Sequence, residues 1–159
     1  IDSVFHTTAP MSAAEQKGAF QGALAETLGQ ACSMELVQSI HDRLREKIEQ
    51  HKDSHEVEPL ELPVSEISEI LRDNSVGEDM IEAFQDNCAA HFGIGATLNP
   101  MNLIDSGRFE VKTAEATISL SPECSYLMET RIIDGRKYLL IPADESVEVN
   151  GFGVSVKGE

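Results

Sequence analysis

The residues of this chain whose types and spacing could do chemistry are few. His51-Lys52-Asp53-Ser54-His55 sets two imidazoles at i and i+4, with Glu56 and Glu58 close behind. Zinc needs neutral imidazoles converging from a rigid frame, and an i, i+4 pair on one helix face supplies two such ligands. The Glu that follows the first His of a metalloprotease helix is missing, and the pair falls where a helical pattern gives way to a polar linker. His51 and His55 are therefore weak metal candidates, and no structural metal or other cofactor is expected.

Nucleophilic chemistry has two candidates. A thiol at a helix start can have its pKa lowered by the free amides there, which makes Cys32 the better one; Cys88 lies on the apolar stripe of a predicted helix. No Ser stands in a GxSxG elbow, and Gly93-Ile94-Gly95 lacks the third Gly, the following Lys and the strand-then-helix setting of a phosphate loop. His41 and His91 read as buried or capping residues, without a partner identifiable in the sequence. Nothing here specifies an enzyme, and a non-catalytic protein is the expectation.

The elements that would position these residues follow from hydrophobic period. Ser12-Ala13-Ala14-Glu15 is a capping box, followed by Ala19, Phe20, Ala23 and Leu24 at helical spacing and by Gly29 as a stop. Leu36, Val37, Ile40, Leu44 and Ile48 form a stripe through a second helix that Ser33 caps. Lys52 to Glu58 is a polar linker, and Leu60 to Leu62, held between Pro59 and Pro63, is an extended piece. A third helix buries Ile67, Ile70 and Leu71. A fourth repeats Met80, Ile81, Phe84, Cys88 and Phe92 at three and four. Helices are thus expected at about 12–28, 33–51, 64–74 and 77–92, within a helical part spanning 1–107.

From Arg108 the period changes to two. Phe109, Val111 and Thr113, then Ile118 and Leu120, alternate with polar residues, as in a strand with one wet face. Asp134-Gly135 and Asn150-Gly151 each join two short apolar runs, and both dipeptides suit the primed turns of tight hairpins. A two-residue loop at Asp134-Gly135 sets Ile132 against Lys137, Thr130 against Leu139 and Met128 against Ile141, with Glu129, Arg131, Arg136 and Tyr138 on the opposite face. A three-residue loop would shift that register. Helices first and strands afterward make an α+β chain, with N-terminal helices packed on an antiparallel meander over 108–159. One compact domain is expected.

Composition narrows the function classes. At 159 residues the chain can bury roughly two-thirds of its unfolded surface. With no Trp and 5% aromatic residues, its core must be mainly aliphatic. Net charge is −16, and Asp53 to Asp86 holds eleven acids against one base, Arg72. Phosphate backbones and anionic membranes are bound by Lys and Arg, so direct nucleic-acid or membrane binding is disfavoured. The acidic run is either a solvated face that aids solubility or a docking surface for a basic partner, with Glu78, Asp79 and Glu82 as its candidate contacts. Three scattered cysteines without a CxxC pair suit a reducing cytoplasm, and no run approaches the ~20 apolar residues of a membrane span. The chain opens at Ile1 without a leader, as expected of a fragment cut from a longer protein.

Five segments carry a resemblance: APMSAAEQKGAFQGALAETLGQAC, SIHDRLREKIEQHK, the PLEL-to-SEILRDNSVGEDM span, RFEVKT and METRIIDGRKYLLIPADESVEVNG. Over nearly its whole length the chain resembles the C-terminal part of an uncharacterised protein family of anaerobic, mostly Gram-positive bacteria, known as a domain of unknown function. The resemblance implies a cytoplasmic bacterial protein and no particular activity. The last third is also similar to a segment of bacterial nucleoid-associated proteins. The expected role is a non-catalytic protein-interaction or regulatory module that binds a protein through its acidic surface or a sheet edge. Alternatives are a nucleoid-associated role, with DNA contact supplied by a further N-terminal part or a dimer, and an enzyme whose site is shared with a missing half.

Overall fold

A computed structural model describes residues 11–157. The chain is α+β, as the change of period implies, and it divides into two compact units, one ending at Pro122 and the other beginning at Glu123.

The first unit is built around four helices: α1 (Ala13–Leu28), α2 (Met34–Ser54), α3 (Val64–Asp73) and α4 (Glu78–Phe92). Helix α1 begins at the expected capping box, where Ser12 Oγ accepts from the Glu15 amide at 3.1 Å and Glu15 Oε1 accepts from the Ser12 amide at 3.1 Å. These bonds hold the Glu15 carboxyl below its usual range. Ser33 caps α2 by accepting from the Leu36 amide.

Helix α2 runs past the expected end at His51 as far as Ser54. Ser54 Oγ donates back to the His51 carbonyl, and His55 adopts a left-handed conformation at φ 55° to close the helix. Helix α3 ends in a Schellman motif: Val76 N–H donates to Leu71 O, Ser75 N–H donates to Arg72 O, and Ser75 takes φ 64°. The apolar residue that follows, Val76, packs on the core.

Phe20, Leu44, Ile67, Leu71, Ile81 and Phe84 lie at the centre of that core, with Phe20 and Phe84 edge to face at 6.3 Å. Two residues of the expected stripes are instead exposed, Val37 at 40% and Met80 at 39%. Side-chain amides join the helices across the core edge: Asn87 to Thr27, Gln85 to Ser68, and Asn74 to Ser39. The extended piece is shorter and later than expected. It is β1 (Leu62–Pro63), paired antiparallel with β2 (Thr97–Leu98), and both leucines are buried.

A short helix, α5 (Pro100–Leu103), follows, with Asn99 as its cap and Pro100 in its first turn. The first unit closes with the hairpin β3 (Phe109–Lys112) and β4 (Thr117–Leu120), paired Phe109 with Leu120 and Val111 with Ile118. Phe109 is buried and stands edge-on to the His41 ring at 5.4 Å, so this hairpin belongs with the helices.

The second unit carries β5 (Glu129–Ile133) with β6 (Arg136–Leu140), and β7 (Val147–Val149) with β8 (Phe152–Val154). Ile132 faces Lys137 and Thr130 faces Leu139, the register of a two-residue loop. Asp134 and Gly135 have φ 50° and 80°, Asn150 and Gly151 have φ 52° and 85°, and these are the left-handed pairs a type I′ turn requires. The expected meander is realised as separate two-stranded ladders, each hairpin paired within itself.

Candidate functional site

The imidazole pair is not arranged as two ligands on one helix face. His51 Nε2 lies 2.7 Å from the Glu58 carbonyl, and His55 has already left helical geometry. Among the described residues no group of three or more His, Cys, Asp or Glu is placed to hold a metal ion.

His41 and Cys32 both line a cavity of about 400 Å³ formed by α1, the 3-10 turn Gly29–Ala31, α2 and α5. Leu24, Val37, Ile40 and Leu103 are among the apolar residues of that wall. His41 is buried, and its Nε2 lies 3.0 Å from the Asp105 carbonyl and 3.2 Å from that of Arg108, so an Nε2–H fastens α2 to the loop leading into β3. Its Nδ1 is buried without a hydrogen-bond partner.

Cys32 precedes the Ser33 cap, where helix amides would favour a thiolate. Partial desolvation of Cys32, which is still exposed to solvent, raises its pKa instead. Cys88 is only 1% exposed, and burial pushes its thiol up to about 11.

The candidate acidic contacts differ in how free they are. Glu78 takes a two-point bond from Arg72, Nε to Oε2 at 2.6 Å and Nη2 to Oε1 at 3.0 Å, which holds its carboxyl below the usual range. Asp73 pairs with Arg43 at 2.6 Å and Glu66 with Lys47 at 3.4 Å. Asp79 and Glu82 form no ion pair among the described residues, and neither does Asp86. With spacings of three and four, these three exposed carboxylates lie along one face of α4.

The second unit presents a different kind of surface. In the β7–β8 register Val147 faces Val154 and Val149 faces Phe152, so all four side chains share one face of the ladder, opposite Glu148 and Gly153. Phe152 is 74% exposed and Val149 52%. On β5–β6, Ile132 is 68% exposed beside Lys137.

The family described as a domain of unknown function, DUF4317, matches residues 1–152. The chain belongs to that family. No curated protein and no solved structure matches it.

Within this DUF4317 domain the residues that sequence reading singles out are dispersed. His51 and His55 lie at the end of α2, Cys32 and His41 at the cavity, and Glu78, Asp79 and Glu82 in the first turns of α4. The cavity needs Leu103 and Ile104, which an uninterrupted reading of the chain between Gly95 and Arg108 leaves without an element. Asn99-Pro100 is the signal for α5, a capping residue followed by a proline suited to the first helical position.

Proposed function

We propose that this DUF4317 domain is a non-catalytic protein-interaction or regulatory module of a larger bacterial protein, working in the cytoplasm. The observation that carries this reading is the apolar face of the β7–β8 hairpin, Val147, Val149, Phe152 and Val154, left largely exposed on a two-stranded ladder. An isolated two-stranded hairpin is marginally stable in water, and its apolar face gains most by packing against another surface. The free strand edges offer main-chain hydrogen bonds to an extended segment of a partner.

The unpaired carboxylates Asp79, Glu82 and Asp86 give such a module a means of steering a basic partner, since clustered charge raises encounter rates. Nucleic acid is not the favoured partner, because Arg43, Lys47, Arg72, Arg108, Lys112 and Arg131 are each engaged with a carboxylate.

The test is a photo-crosslinking amino acid at position 152 in the full-length protein in cells. A discrete protein adduct, lost when Val149→Ser is added, is the expected result. Adducts spread over many abundant proteins and indifferent to Val149→Ser would defeat the reading, as would capture of DNA with a steep salt dependence.

A further inference from the structure

The cavity beside Cys32 and His41 has a chemical character that the surface around it lacks. A quarter of the chain is charged, yet among the described residues no Asp, Glu, Lys or Arg lines this space. Its volume of about 400 Å³ falls within the range of small-molecule sites, and four separate elements converge to make it. The polar groups in its wall are Gln21, Cys32 and His41. Both nitrogens of His41 are withdrawn, Nε2 by its two carbonyls and Nδ1 by burial, which leaves the Gln21 amide and a neutral thiol.

We propose that this cavity binds an uncharged, mainly aliphatic small molecule carrying a single hydroxyl-type polar group. The apolar part lies against Leu24, Val37, Ile40 and Leu103, and the hydroxyl pairs with Gln21 at the polar part of the wall. A carboxylate or phosphate is excluded as the polar group: among the described residues no Lys or Arg lines the space to offset the loss of its hydration, and the chain's net charge of −16 opposes its approach. Its described lining residues all belong to the first unit, so the site stands or falls independently of the interaction reading.

The test uses the full chain carrying Cys124→Ser, so that Cys32 is the exposed thiol that reacts with a disulfide reagent while Cys88 stays buried. Straight-chain alcohols from hexanol to decanol are the probes. The expected result is saturable protection of Cys32, with the half-protecting concentration falling roughly fourfold for each added methylene. Octanoate should protect at least tenfold less well than octanol. Val37→Trp, an exposed position on the wall, should abolish protection while leaving the circular dichroism spectrum unchanged; Ala25→Trp serves the same purpose if that variant fails to fold.

Absence of protection by every alcohol overturns the proposal, as does protection that survives a correctly folded Trp variant. Octanoate equal to octanol overturns the assignment of an uncharged ligand. A Cys32 that stays inert in the free protein even at alkaline pH, where the thiolate forms, would show the cavity filled by the chain itself, and overturns it as well.

Discussion

Gly135 shows how much of the second unit depends on single backbone conformations. It holds φ 80° in the β5–β6 turn, with Asp134 at 50° before it. A β-branched side chain is strained there, at about 1–2 kcal/mol for the left-handed region. Gly135→Val should abolish the cross-strand nuclear Overhauser contacts between Ile132 and Lys137, while Gly135→Asn should keep them.

Cys88 gives a second prediction at this scale, one with a definite sign. Its thiol titrates at about 11 in the folded protein against 9.0 in its ordinary range. The unfolded chain therefore releases this proton first, and the contribution of Cys88 to stability is present below pH 9 and is lost as pH rises toward 11. Melting temperatures of the native protein and of Cys88→Ala, compared from pH 8 to 11, should converge as pH rises. A constant difference would contradict the buried thiol.

Elements bring in the caps. Ser75 occupies the left-handed position of the Schellman motif that ends α3, where glycine is the residue without a steric penalty. Ser75→Gly should therefore stabilise the protein by about 0.5–1 kcal/mol, read from urea unfolding. Its Ser75→Ala counterpart should give no gain.

The start of α1 predicts the opposite outcome. Ser12→Ala removes the hydroxyl arm of the capping box, leaving the amide of residue 12 to donate to Glu15, and should cost about 1 kcal/mol near neutral pH. The folded Glu15 carboxyl titrates below its ordinary range, so the part of the cap that depends on its charge is intact above about pH 4.5 and is lost as the pH falls through the folded value. The difference in melting temperature between native protein and Glu15→Ala, which lacks that carboxylate, should shrink on acidification.

At the scale of the whole molecule, 28 acids against 12 bases must repel one another on balance. Screening shortens the reach of this repulsion from ~30 Å at 0.01 M salt to ~10 Å at 0.1 M. The melting temperature should rise with sodium chloride over that range. Much of the rise should already be present at low salt in a triple variant, Asp79→Lys, Glu82→Lys and Asp86→Lys, because those carboxylates form no ion pair among the described residues. Reversing Glu78 instead should gain less, since Arg72 would then lose its partner.

The amino-acid sequence by itself determined the local features. The Ser12–Glu15 box, the apolar stripes of α2 and α3, the change of period at Phe109 and both turn dipeptides are each written within a few residues of where they act. Capping, helical spacing and left-handed turn conformations are short-range effects, so they can be read without knowing what lies across the fold. The end of α2 lay outside that reach because a left-handed His55 is uncommon. Only the tertiary structure decided that His41 fastens a loop more than sixty residues away, and that partial desolvation of Cys32 raises its pKa against the pull of the helix start. It also decided which carboxylates of the acidic run are paired and which are free. Burial, cavity shape and ion pairing depend on which distant residues meet, and that follows from how the helices pack together.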